Sequence, residues 1–223
     1  MFVNFSALQE LTICAYDHSE MLGIATSVSQ LPIITRNLKI TFPVLTLYHF
    51  SIFAPLLAHL TNIEVAIDQM DAVPDMLRLC PDLSSLTILT DVEQRAQDCR
   101  PFTHTNLRSF RVAHDLSITE QLSHLFDVLT LPNLHMFEAR YIQPAQIHAL
   151  FDVLDSLPPL ELCELDVCLQ PWPHEEMRAM LARSNCSLKS LVFSGGVMAT
   201  DEQRAEYVAL IPSLKVVVSS AAR

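Results

Sequence analysis

The chain has 223 residues, of which 14 are Lys or Arg and 25 are Asp or Glu, giving a formal charge of 14 − 25 = −11. Acidity on that scale argues against a nucleic-acid backbone or an anionic membrane surface as partner. Half of the residues are hydrophobic, too many for a disordered tail, and only three are Gly, against about 7% in an average protein, so phosphate-cradling loops, dinucleotide fingerprints and nucleophile elbows cannot be written.

Along the chain a short apolar segment recurs, Leu-x-x-(Leu/Ile/Phe)-x-(Ile/Val/Phe). The copies start at Leu8, Leu47, Leu60, Leu83, Leu107, Leu134, Leu162, Leu188 and Leu214, and from Leu83 onward they are 24, 27, 28, 26 and 26 residues apart. Between copies the apolar spacing becomes helical, as in Phe53, Leu56, Leu57 and Leu60; Val73, Met76, Leu77 and Cys80; Leu122, Leu125, Phe126 and Leu129; Ile147, Leu150, Phe151 and Leu154. Ser117 with Glu120 and Thr200 with Gln203 have capping-box spacing, Pro144 and Pro173 suit a first helical turn, and Pro81, Pro132, Pro158 and Pro212 stop helices before the next strand. Alternating strands and helices at this period predict an α/β fold, a leucine-rich-repeat-like solenoid with a curved parallel sheet and helices outside, as one domain over 1–223. Residues 91–104, mostly polar, read as an irregular connection. No Asn stands at the offset where leucine-rich repeats use one to close the turn after the strand, so the turns must close differently.

Ile40 to Ile63 carries no charged residue and is long enough to span a bilayer at about 20 residues. Its Pro43, Pro55, His49, His59 and Asn62 favour repeat segments instead. With no basic n-region and apolar h-region at the start, the expected location is cytoplasmic or nuclear, and the six cysteines read as reduced thiols in apolar positions. Metal is not expected, since no His-Glu-x-x-His occurs and Cys163 and Cys168 would point to opposite faces of one strand. His114-Asp115 and His174-Glu175-Glu176 lack a nucleophile placed by a sharp turn, so no catalytic residue and no cofactor is assigned. The second set reads as an acidic first helical turn, and Trp172 before it as a hydrophobic staple.

Strand parity then defines an outward ladder of Glu10, Thr12, Asn62, Glu64, Ser85, Thr87, Ser109, Arg111, Met136, Glu138, Arg140, Glu164, Asp166, Ser190 and Val192. Within it Glu64, Arg111, Met136, Glu138, Arg140, Glu164 and Asp166 are the candidate partner-binding residues, because arginines beside carboxylates and an apolar side chain have the composition of interface hot spots.

The stretches 76–88, 129–137, 172–191 and 211–214 resemble the repeat region of fungal F-box proteins, and the likeness covers about Phe50 to Val218. It implies a protein-interaction module, the substrate-recognition region of an F-box-type ubiquitin ligase adaptor with an unknown protein substrate. In that family an amino-terminal F-box helix bundle holds a Skp-type adaptor. No F-box pattern follows Leu31, Leu131 or Leu157, where Leu-Pro occurs. The expectation is a fragment of a longer protein or a paralogue that kept only the repeats, with adaptor binding only if an F-box lies upstream. An F-box-independent intracellular repeat scaffold is the alternative, and an enzyme of unrecognised type the third.

Overall fold

The computed structural model describes residues 9–14, 18–28, 35–45, 47–67, 70–90, 100–114, 119–142, 147–167, 173–183, 189–194 and 200–218. In chain order the elements are β1 (Glu10–Cys14), α1 (His18–Val28), β2 (Asn37–Leu45), α2 (Leu47–Leu57), β3 (Asn62–Ile67), α3 (Ala72–Leu79), β4 (Ser85–Thr90), β5 (Phe102–Thr103), β6 (Ser109–His114), α4 (Thr119–Val128), β7 (Leu129–Thr130), β8 (Met136–Ile142), α5 (Ile147–Ser156), β9 (Leu162–Val167), α6 (His174–Arg183), β10 (Ser190–Ser194), α7 (Asp201–Leu210) and β11 (Lys215–Val218). Nine strands form one sheet in the order β1-β2-β3-β4-β6-β8-β9-β10-β11, and every pairing is parallel. Sequence neighbours are therefore neighbours in space throughout the sheet, as a stack of repeats requires.

One face of that sheet is covered and the other open. Along β3 Ile63, Val65 and Ile67 are buried while Asn62, Glu64 and Ala66 are not, and the register carries the same alternation across the sheet. The buried row runs Leu38, Ile63, Leu86, Phe110, Phe137, Cys163 and Leu191. Helices supply the second layer: α2 packs on α1 and α3, α5 on α4 and α6, and α6 on α7. At about 25 cal/mol per Å² of apolar surface buried, no single repeat could offset its own chain entropy, so stability comes from stacking. The fold is a leucine-rich-repeat-like α/β solenoid.

A backbone spine ties the repeats together. In successive repeats the carbonyl just ahead of the strand accepts two N–H groups from the next repeat: that of Arg36 from Thr61 and Asn62, of Thr61 from Ser84 and Ser85, of Ser84 from Arg108 and Ser109, of Arg108 from His135 and Met136, and of His135 from Glu161 and Leu162. These paired backbone bonds hold strand entry in register, and the hydroxyls of Thr61 and Ser84 donate to the Arg36 and Thr61 carbonyls as well. The turn ahead of the strand is closed by the leucine N–H bonding the carbonyl three residues back, as in Leu83 to Cys80 and Leu134 to Leu131. In one repeat a side chain replaces that carbonyl: Nδ1 of buried His104 accepts from the Leu107 N–H (3.1 Å), so its Nε2 carries the proton and donates to the Cys80 carbonyl (3.0 Å). Residues 91–99 lie outside the described set. The remainder of the expected irregular connection is ordered by His104 and by pairing of β5 with β7.

Three copies of the repeat differ from the sequence reading. The segment at Leu47 is the helix α2, with Phe50, Phe53, Leu56 and Leu57 buried at helical spacing; Phe50 and Ile52 fit either period in so short a run. The strand belonging there is β2, hidden because the leading leucine position, three before Leu38, holds Thr35, which is buried with a hydroxyl lacking any partner. The copy placed at Leu162 begins at Leu160, since Cys163 and not Leu165 pairs in the row of Phe137 and Leu191. A two-residue shift preserves parity, so Glu164 keeps its face. In the last copy Val216, not Val217, aligns with Leu191, a one-residue slip that moves Val217 to the open face.

The helix reading holds in detail at α7, where Thr200 and Gln203 form the capping box. Residues 115–118, 143–146 and 168–172 are outside the described set, and with them the Ser117 cap, Pro144, Cys168 and Trp172.

Candidate binding face

Three rows of residues, set by strand register, cross the open face. The first runs Glu10, Asn37, Asn62, Ser85, Ser109, Met136, Leu162, Ser190 and Lys215; the second, Thr12, Lys39, Glu64, Thr87, Arg111, Glu138, Glu164, Val192 and Val217. The third includes the half-buried Ala66, Leu89 and Ala113, with Arg140 next in register. Parallel neighbours lie about 4.8 Å apart, so residues of one row touch.

The expected residues fall into two groups. Arg111, Glu138 and Arg140 form one cluster: Nε of Arg111 donates to Oε2 of Glu138 at 2.9 Å, and Nε of Arg140 to its Oε1. The Glu138 side chain is 5% exposed, whereas those of Arg111 and Arg140 are 45% and 50% exposed. A buried carboxylate holding two solvent-facing guanidiniums fixes both in place. Met136 completes the cluster, its sulfur 3.2 Å from the Ser109 hydroxyl and 3.6 Å from Nη2 of Arg111. Beneath lies a stiff floor in which Phe110 stacks on Phe137 at 6.1 Å between ring centroids and Phe126 meets both edge-on.

Glu64 stands apart. It pairs with Lys39 across β2 and β3 at 2.6 Å, and the neutral Thr87 separates it from Arg111. That hydrogen bond raises the Lys39 ammonium above its ordinary pKa. Glu164 sits beside Glu138 in register, half-buried and with no ion-pair partner among the described residues. Asp166 is in β9 opposite Ser194; its side chain lies outside the described set. β8 carries an extra residue between Ala139 and Ile142 relative to β9, a bulge that contains Arg140 and re-aims the strand there.

Sequence reasoning missed the side chains at the entry ends of the strands. Arg108 and His135 precede β6 and β8, both exposed, and Arg108 has no ion-pair partner among the described residues. Farther along, Lys189 pairs with Glu161 at 3.0 Å, which holds the Glu161 carboxyl below its ordinary pKa. The signal for Arg108 was its place immediately before a strand residue, outside the parity rule that built the ladder.

On the helical side, His174 does not act with its sequence neighbours. Its Nδ1 is 2.9 Å from the Tyr207 hydroxyl and its Nε2 3.2 Å from Glu206, so it bridges α6 to α7. Of the cysteines, Cys80 and Cys163 are buried, and burial pushes the Cys80 thiol up to about 12; Cys14 is exposed, against the expectation of apolar burial. Among the described residues no three of His, Cys, Asp and Glu are grouped so as to hold a metal ion, and no helix is long and apolar enough to cross a membrane.

No protein-family model matches the sequence, and no curated protein matches it. Solved structures do. The crystal structure of a Bacteroides fragilis protein, a structural-genomics target, superimposes with a TM-score of 0.60 over 94% of this chain and 73% of its own, at 12% identity. The likeness is one of fold. A TLR13–ssRNA13 complex aligns over 85% of this chain and 33% of its own at 14% identity, with a TM-score of 0.39, too low to carry an argument.

Proposed function

We infer that the chain is a protein-interaction module and that it binds its partner on the open face of the sheet, at Arg111, Met136, Glu138 and Arg140, with Glu64, Glu164 and Asp166 at the margins. The observation that carries this reading is the Arg111–Glu138–Arg140 cluster: a buried carboxylate gripped by two exposed arginines is costlier to keep than a plain solvated surface, and arginines fixed in this way lose little entropy on binding. A partner protein, with no catalysis, cofactor or metal, is the role proposed. Within it, substrate recognition for an F-box-type ubiquitin ligase in the cytoplasm or nucleus is the finer reading; its support is the likeness of residues 76–88, 129–137, 172–191 and 211–214 to fungal F-box repeats. An F-box-independent scaffold uses the same face.

Reversing Arg111 and Arg140 alone is an unsafe test, because it strands the Glu138 carboxylate. Replacing Arg111, Glu138 and Arg140 together by Gln removes all three charges, with an isosteric change at Glu138 and a shorter neutral side chain at the two arginines. This variant is expected to fold with an unchanged circular dichroism spectrum and to lose proteins that the native chain captures from lysate, identified by mass spectrometry. Recovery of the same proteins by the triple variant, and their loss on changes to the helical face, would move the site to the outside of the arc.

A further inference from the structure

We propose that Met136 is a modification site: a peroxide oxidises its sulfur to the sulfoxide, and the new oxygen takes the Ser109 hydroxyl and Nη2 of Arg111. The effect on binding rests on the reading of the open face as the partner surface and adds a redox control to it.

Among the described residues Met136 is the methionine within reach of a small oxidant. It is half-buried at the start of β8, in the row between Ser109 and Leu162, whereas Met70, Met76, Met177 and Met180 are buried. Oxidation follows exposure, because the peroxide must meet a sulfur lone pair. The surroundings of this sulfur are polar: the Ser109 hydroxyl stands 3.2 Å from it and Nη2 of Arg111 3.6 Å. A thioether is a weak acceptor, so it makes poor use of both donors. An oxygen one bond beyond the sulfur would use them well.

In the step itself a sulfur lone pair forms the S–O bond as the O–O bond of hydrogen peroxide breaks. The proton on the transferred oxygen passes to the departing oxygen, which leaves as water; sulfur gives up two electrons and the peroxide gains them. Negative charge building on the transferred oxygen meets a hydroxyl and a guanidinium already in place. In a packed core the polar sulfoxide would lack a donor and destabilise the fold. Here Arg111 keeps its Nε on Glu138, and the cluster stays assembled. What a partner loses is the Nη2 N–H, part of the fork that would receive a carboxylate or carbonyl, and the apolar contact of Met136 beside it. Oxidation closes the site without unfolding it.

The test is treatment of the intact chain with excess hydrogen peroxide, quenched at intervals with free methionine and read by peptide mass spectrometry. Met136 is expected to gain one oxygen about ten-fold or more faster than the completely buried Met76 and Met177. In spectra of the chain labelled with 15N-arginine, the Nη2 signal of Arg111 should sharpen on oxidation, because a held N–H group rotates more slowly. The Met136→Leu chain controls for the other methionines, and there the same treatment should leave that signal as it was. The urea midpoint should be unchanged by oxidation of the native chain and should fall on oxidation of Ser109→Ala, which has lost one donor. Met136 oxidised no faster than Met76 and Met177, an Nη2 signal that does not respond, or a change in midpoint that is the same with and without the Ser109 hydroxyl would overturn the proposal. Proteins captured by the untreated chain should be lost by the oxidised chain and regained after methionine sulfoxide reductase acts on it. If Met136 is oxidised and Nη2 of Arg111 is held, yet the captured proteins are the same, the modification stands and the open face is not the binding surface.

Discussion

Leu86→Asp is expected to destabilise the chain by about 4 kcal/mol, and Thr87→Asp, one residue on, by about 0.5 kcal/mol or less. Leu86 is completely buried in the row between Ile63 and Phe110, and a carboxylate there has neither water nor a cation to meet. Thr87 stands on the open face beside Arg111, which would meet a new carboxylate in solvent. Leu191→Asp should match Leu86→Asp, since Leu191 is equally enclosed at the far end of the same row. Urea denaturation midpoints decide the matter, and the reverse ordering would mean that the two faces of the sheet had been exchanged.

The second large effect is an asymmetry within the arginine cluster. Removing both partners of Glu138, as Arg111→Ala with Arg140→Ala, should cost roughly 2–3 kcal/mol, less than the roughly 3–5 kcal/mol of a fully enclosed pair because water enters where the arginines were. Glu138→Gln alone leaves two exposed guanidiniums that hydrate readily and should cost about 1 kcal/mol. The triple change to Gln should fall near the single one, well short of the sum, because the residues act as one unit. Additive losses across these variants would show that the arginines do not support Glu138.

How far the sequence shows this fold depends on what stands at one position of each repeat. Where a leucine precedes the core strand residue by three, as Leu60, Leu83, Leu107 and Leu134 do, the strand is legible and its register right. Thr35 removes that landmark, and the apolar helix α2 just beyond supplies a false one at Leu47. At β9 the core position is held by Cys163, while Leu162, Leu165 and Val167 imitate the repeat two residues late. Parity survives such a shift, which is why Glu164 keeps its face, while Arg111, Glu138 and Arg140 lie in strands read without one. What alternation cannot give is which of those charges meet: that Glu138 is buried beneath two arginines while Glu64 is drawn to Lys39 depends on neighbours across strands, one of which was not recognised. Arg108 and His135 escaped because residues ahead of a strand obey no period.

The claim that the open face is where this chain meets its partner is tested most directly by site-specific photo-cross-linking. A benzophenone side chain placed at Thr87 or at Ser109, on β4 and β6, should cross-link to proteins captured from cells, and one placed at Asp152 on α5 or at Arg178 on α6 should not. Products from the α5 and α6 sites, with none from Thr87 or Ser109, would contradict the account and put the partner on the helices.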